Sequence, residues 1–181
     1  MTRYYTGVGH RLRNVEPGVE EFVLWLSAEM ADRDIHLLSG DADGIDEFFE
    51  RNCDNKCTIY LPNKKFGHYE GRDMSTRYLL DGEEKAYADL QLSFNRILPE
   101  IKNMSEHNKK YHRRNFYQAW NFGELPEVCF YYAKENEDGR IDGGTRTAVY
   151  TARYFSVPCY NLYTVEGRDK VRDLLLAGEW D

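Results

Sequence analysis

The chain has 181 residues, 41% hydrophobic and 30% charged, with 24 Lys plus Arg against 31 Asp plus Glu for a formal charge of −7. That length predicts one domain with a sizeable core, and the composition excludes a disordered chain. No apolar run is long enough to cross a bilayer and Met1-Thr2-Arg3-Tyr4 does not open a signal peptide, so the expected setting is the cytoplasm; the acidic balance disfavours coating nucleic acid through a uniform basic face.

Short β-rich runs alternate with helical patterns. Arg3 to Thr6 reads as a first strand, broken by Gly7-Val8-Gly9. Behind Pro17, the apolar residues Val19, Phe22, Val23, Leu26 and Met30 recur at spacings of three and four, which predicts an amphipathic helix. Ile35 to Ser39 reads as a second strand, ending at Gly40-Asp41-Ala42-Asp43-Gly44 before a helix that opens at Ile45. Thr58 to Leu61 is a third strand, stopped by Pro62. The rhythm then gives way to a polar loop around Lys64 to Gly71, a helical run from about Glu83 to Ile101 and another from about Ser105 to Trp120. Together, roughly residues 64–120 read as a helical insertion between the third and fourth strands of a single domain spanning 1–181. Val128 to Tyr132 restores the strand pattern, followed by an acidic loop, the turn Asp142-Gly143-Gly144, a helix to Phe155, a strand from Val157 to Leu162 and a last helix to Ala177. Strands that alternate with helices need crossover connections. The expected fold is therefore α/β, a Rossmann-like, doubly wound, mostly parallel sheet of about five strands.

The four cysteines Cys53, Cys57, Cys129 and Cys159 read as buried free thiols in a chain too large to depend on disulfides. Fourteen tyrosines suit either a core or a site that stacks on bases.

Ligands of open parallel sheets bind beyond the carboxyl ends of the strands. Three glycine-bearing loops fall there: Gly7 and Gly9 with His10 and Arg11; Ser39 and Gly40 with Asp43 and Asp46; and Gly143 and Gly144 with Thr145. Any one of them could be a tight turn and nothing more, but three at one edge suit a phosphate or ribose. The first loop lacks the third glycine of a dinucleotide fingerprint, no phosphate loop ending in Gly-Lys-Ser/Thr is present, and Asp41 to Asp46 does not match a calcium loop. Neither a cofactor nor a metal is expected. Between Lys102 and Arg114, five Lys or Arg stand against Glu106 alone, a local +4 that leaves −11 for the rest. This stretch is either a solvated helix face or a seat in which an Arg114 fork holds a phosphate beside Asn115 and Gln118.

The run Leu37 to Asp46 with Thr58 to Leu61, then Arg114 to Gln118, Asp142 to Ala148 and Val157 to Leu162, resembles the superfamily of DNA processing protein A and the LOG enzymes, called SLOG. Small bacteriophage proteins related to DNA processing protein A match best, which would place the chain in a host cytoplasm. The resemblance implies a Rossmann-like nucleotide-binding domain. His112-Arg113-Arg114-Asn115 resembles the His-x-Arg-Lys motif of LOG members, which cleave the N-glycosidic bond of nucleoside monophosphates. Gly143-Gly144-Thr145-Arg146-Thr147 resembles their Gly-Gly-x-Gly-Thr stretch, but Val149 and Tyr150 stand where they carry two glutamates. The main expectation is therefore binding of a nucleotide or nucleotide-derived small molecule, with Arg114 and Asn115 closing a pocket walled by the three loops. The alternatives are an N-glycosidase, with Asp142, Asp46 or Arg114 as catalytic candidates, and a single-stranded DNA binder. A nucleic-acid partner is disfavoured by charge, a membrane partner is not expected, and a homo-oligomer is left open.

Overall fold

The computed structural model describes residues 1–11, 15–64 and 74–181. Six strands form one parallel sheet in the order β4-β3-β2-β1-β5-β6, with β1 Arg3–Gly9, β2 Ile35–Ser39, β3 Cys57–Leu61, β4 Arg77–Leu79, β5 Val128–Tyr132 and β6 Cys159–Asn161. Among the described residues six α-helices cover it: α1 Val19–Asp32, α2 Ile45–Glu50, α3 Gly82–Phe94, α4 Glu106–Trp120, α5 Thr145–Tyr154 and α6 Val165–Leu176. Among the described residues no helix is long and apolar enough to cross a membrane.

The doubly wound parallel architecture is as expected, with a sixth strand added. Arg77-Tyr78-Leu79 pairs with Ile59-Tyr60-Leu61 at the sheet edge, and a three-residue strand is too short to show alternation in sequence. Gly7 and Gly9 do not end β1. Its ladder runs through them, Gly7 opposite Phe130 and Gly9 opposite Tyr132, because the strand is buried between two neighbours that fix its backbone. The helix expected to reach Ile101 stops at Phe94. Arg96 takes a positive φ of 56° and Pro99 opens a short 3-10 turn to Asn103. From residue 65 onward, the polar loop expected at Lys64 to Gly71 lies outside the described residues.

Alternating side chains send the strands into two cores. On one face Tyr5, Leu37, Ile59 and Phe130 pack with Phe22, Leu26 and Phe49 beneath α1, α2 and α6. On the other, Val8, Leu38, Tyr60 and Cys129 meet Ala88, Phe116, Tyr117 and Ala148 beneath α3, α4 and α5. Much of the tyrosine excess is core: Tyr5, Tyr60, Tyr117, Tyr131 and Tyr132 are each no more than 3% exposed. The buried hydroxyls find partners, Tyr60 donating to Asn121 Oδ1 at 2.7 Å and Tyr117 to the Glu84 carbonyl at 3.0 Å.

Gly7 serves packing, since a Cβ built on it would lie 2.5 Å from Phe49 Cγ. Gly7→Ala should cost about 1–3 kcal/mol of stability in denaturant melts, and Phe49→Leu should recover part of the loss. An unchanged midpoint for the single variant would show that the contact relaxes freely.

Candidate functional site

From β1 the chain winds to β2, β3 and β4 on one side, then returns to place β5 and β6 on the other. The winding direction therefore reverses between β1 and β5, and an open crevice forms where their carboxyl ends diverge. Here the structure has a cleft of about 770 Å³. Val8, Gly9, His10 and Arg11 form the β1 wall, Asp142 to Arg146 the start of α5, and His107, Asn108, Tyr111, His112, Arg114 and Asn115 one face of α4; Ala42 closes the side.

Of the residues expected from sequence, the structure brings Gly9, His10, Arg11, Arg114, Asn115, Asp142, Gly143, Gly144 and Thr145 to this cleft. Gly7, Ser39, Gly40, Asp43 and Asp46 do not line it. Gly40 is a glycine because α4 presses on it: an added Cβ would stand 2.9 Å from Arg114 Cζ and would meet Gln118 Nε2 as well. Asp43 is exposed, and Ser39 is buried beside Glu50. Asp46 is 1% exposed and works from below, accepting from the Gly9 N–H at 3.0 Å. Asn108 and Tyr111 were not singled out in the sequence. The spacing of four that joins His107, Tyr111 and Asn115, and Asn108 with His112, was the signal for them.

Arg114 is 6% exposed and directed inward. Its Nη1 donates to the Gly40 carbonyl at 2.8 Å and its Nε to Asn115 Oδ1 at 2.9 Å. Asn115 Nδ2 in turn donates to the Gly144 carbonyl at 2.6 Å, which fixes the entry to α5. A buried guanidinium in these bonds is a scaffold for the cleft more than a fork held out to a ligand. Arg113, its neighbour, points to the far side and grips Asp89 with two bonds of 2.8 and 2.6 Å, and Glu106 at 2.7 Å. The +4 of this stretch is thus largely consumed within the fold. The other cationic side chains at or beside the cleft are Arg11, whose Cζ lies 5.7 Å from the Tyr111 ring centroid, Lys110, whose Nζ lies 4.9 Å from the same centroid, and Arg146, paired to Glu100 at 2.6 Å; the Asp142 carboxylate stands on the same wall as Arg146.

Three of the five histidines line this cleft. His10 Nε2 donates to the Asp142 carbonyl at 3.2 Å, holding the β1 loop to the turn before α5. His112 Nδ1 lies 2.7 Å from Thr147 Oγ1, and burial, followed by the nearby Arg146 charge, pushes its pKa below the ordinary imidazole value. Beneath the floor, burial raises the Asp46 carboxyl while the Arg114 cation opposes that rise. Burial likewise lowers Arg114, opposed by Asp46. Glu50 is pushed well above the usual carboxylate range by burial, then by the Asp41 and Asp46 charges; its Oε1 accepts from the Asp41 N–H at 2.8 Å.

The walls suit an anionic ligand with a flat ring. Amides at the start of α5 and the Arg11 side chain can meet phosphate oxygens, and Tyr111 offers a ring for stacking. The two positions where LOG enzymes carry glutamates hold Val149, fully buried in the core, and Tyr150, whose hydroxyl accepts from the Ile141 N–H at 3.3 Å. Among the candidate acids only Asp142 is on the cleft wall. Among the described residues, no three His, Cys, Asp or Glu stand together as a metal site.

Among solved structures, DNA processing protein A from Helicobacter pylori aligns with 98% of this chain and 74% of its own length, at a TM-score of 0.55 and 15% sequence identity. The fold is that of DNA processing protein A. At such identity the likeness carries the fold and assigns no residue a role. No family model matches the chain, and no curated protein matches it in sequence.

The Glu50 environment yields a pH test. A carboxyl whose folded pKa is raised binds its proton more tightly in the folded state, so its charged form weakens the fold above that pKa and the penalty fades as pH falls toward the ordinary Glu value. Glu50→Gln keeps an acceptor for the Asp41 N–H. It should stabilise the protein at pH 8, with the advantage over wild type shrinking as pH is lowered to 5; a gap that widens toward acid would reverse the assignment.

Proposed function

We propose that the protein binds single-stranded DNA and that the cleft between β1 and β5 seats one nucleotide unit of it. The observation that carries this reading is that the α5 start and the Tyr111 ring both line one cleft. A phosphate on the helix amides and a base against Tyr111 would use both at once. The likeness in fold to a protein described for its single-stranded DNA binding mode supports the same reading.

The charge distribution sets how strong such binding should be. With Arg113 directed to Asp89 and Glu106, and Arg114 to Gly40 and Asn115, the cations at or beside the cleft are Arg11, Lys110 and Arg146, the last also paired to Glu100, so a strand would meet at most three of them. Three phosphate contacts on a single strand give a logarithmic salt slope of about −2. Binding would be local, at one or two nucleotides, and the −11 carried elsewhere would repel a strand that tried to wrap further.

A second reading, a free nucleotide or nucleotide-derived ligand, is favoured by the size of the cleft. Its 770 Å³ lies within the range of about 300–1,000 Å³ found for small-molecule pockets.

Fluorescence anisotropy of a labelled oligothymidylate, titrated at several salt concentrations, separates the two. The DNA reading expects binding with a slope near −2, a loss of about fivefold or more for Tyr111→Ala, and a shallower slope for Arg11→Gln. Competition by nucleoside monophosphates as effective, per phosphate, as the oligonucleotide would transfer the site to free nucleotides. Absence of binding by either at millimolar concentration would remove both.

A further inference from the structure

Along the sequence Cys53 and Cys57 form one C-x3-C while Cys129 and Cys159 stand apart; the fold brings these two together as a second pair. Cys53 and Cys57 flank the turn between α2 and β3, and both thiols point at the Asp54 carbonyl, at 3.6 and 3.9 Å. Cys129 and Cys159 are register partners on the adjacent parallel strands β5 and β6, which brings their thiols together, and the Cys159 thiol also reaches the Val157 carbonyl at 3.2 Å. All four are free thiols.

The two pairs live in opposite electrostatic surroundings. Cys53 and Cys57 are buried in the α1–α2 core next to the Glu50 carboxylate. Their mutual hydrogen bond, burial and the nearby negative charge all raise Cys53, so its thiolate is suppressed. Cys159 lies on the edge strand and is partly exposed, with the guanidinium of Arg153, in the last turn of α5, beside its sulfur. The hydrogen bond with Cys129 and the Arg153 charge hold Cys159 below the ordinary thiol value, against the effect of partial burial. Cys129, fully buried beneath it, is raised by the same bond and by burial. Arg153 is itself held in place, donating to the Tyr131 hydroxyl at 2.9 Å and to Glu135 Oε1 at 3.1 Å.

We propose that Cys159 and Cys129 form an oxidation site for hydroperoxides, with Cys159 the attacking sulfur and Cys129 the resolving one. The Cys159 thiolate attacks one peroxide oxygen; an S–O bond forms, the O–O bond breaks, and the departing oxygen takes a proton from water to leave as an alcohol, or as water from hydrogen peroxide. Cys129 sulfur then attacks the sulfenic Cys159 sulfur. An S–S bond forms, the S–O bond breaks, and hydroxide leaves with the Cys129 proton as water. Two thiols lose two electrons and the peroxide gains them.

The backbone already allows the product. Neighbouring strands run about 4.8 Å apart, within the Cα separation of about 4.4–6.8 Å that a disulfide tolerates. The cross-link would fasten the edge strand β6 to β5, the strand that borders the cleft.

The test treats the folded protein with hydrogen peroxide at neutral pH, blocks remaining thiols with iodoacetamide and maps the peptides by mass spectrometry. The expected product joins Cys129 to Cys159 while Cys53 and Cys57 carry the alkyl label. In Cys129→Ala, shown to melt as wild type, dimedone should trap a sulfenic acid on Cys159. Arg153→Gln should slow alkylation of Cys159 relative to wild type, the fall in thiolate being only partly offset by the higher nucleophilicity of the more basic sulfur. A disulfide forming first at Cys53–Cys57, or Cys159 reacting no faster than Cys53 in the wild-type protein, would overturn the proposal. So would a folded Cys129→Ala variant that dimedone leaves unmarked.

Discussion

Arg114 carries its charge into a place from which water is almost excluded, and the carboxyl edge of the sheet is organised around keeping it there. Its guanidinium bonds the Gly40 carbonyl at the end of β2 and the Asn115 side chain on α4, while Asn115 reaches the Gly144 carbonyl before α5. Asp46, at the start of α2, opposes the cation and accepts the Gly9 N–H at the end of β1. Three segments that are distant in sequence, the end of β1, the β2–α2 connection and the entry to α5, are thereby tied to one buried charge. Loss of either member of such a pair strands the other in a low-dielectric interior, which is far more costly than losing an exposed ion pair. Gly40 and Gly144 are the steric counterpart, since a Cβ on either would intrude on Arg114 or Asn115. The cleft is the surface of this network. Its walls keep their spacing because the charge behind them permits little else.

Adjacent arginines illustrate how sequence charge and usable charge differ. Arg113 and Arg114 stand side by side in a stretch that sums to +4, yet a helix turns successive residues about 100° apart, so they leave α4 in different directions. One joins α3 through Asp89 and the other joins β2 through Gly40. Because Asp89 and Glu106 are 28% and 73% exposed, the Arg113 bonds add little to stability and serve to orient α3 against α4. The cations at or beside the cleft are Arg11, Lys110 and Arg146 instead.

Long periodic segments were readable because their periodicity and their burial have the same cause. Val19, Phe22, Val23, Leu26 and Met30 all enter the core, as their spacing required. Of the glycines in the three loops, Gly9, Gly143 and Gly144 line the cleft. Gly7 and Gly40 do not line it and leave no room for a Cβ beside Phe49 or Arg114, and a glycine needed for a neighbouring side chain looks the same in sequence as one needed for a ligand. Tyr111 was lost among fourteen tyrosines, several of them core. Strand β4 gave too short a pattern, and its existence depends on the exposed edge of β3, a tertiary circumstance that no local signal encodes. The inward turn of Arg114 was equally out of reach, since the Gly40 carbonyl that claims it lies 74 positions away.

The strand order also governs the sequence of events by which the sheet is completed. β1 pairs β2 through residues close in the chain, Tyr5 with Leu37, but its other edge waits for β5, Tyr5 meeting Val128. During synthesis at roughly 5–20 residues per second, that edge would stay open on the order of ten seconds. In the interval it presents unpaired backbone donors and acceptors flanked by the apolar Tyr5 and Val8, a template for pairing with another nascent chain. The reversal of winding that creates the crevice in the finished protein is, while the chain is being made, its most exposed seam.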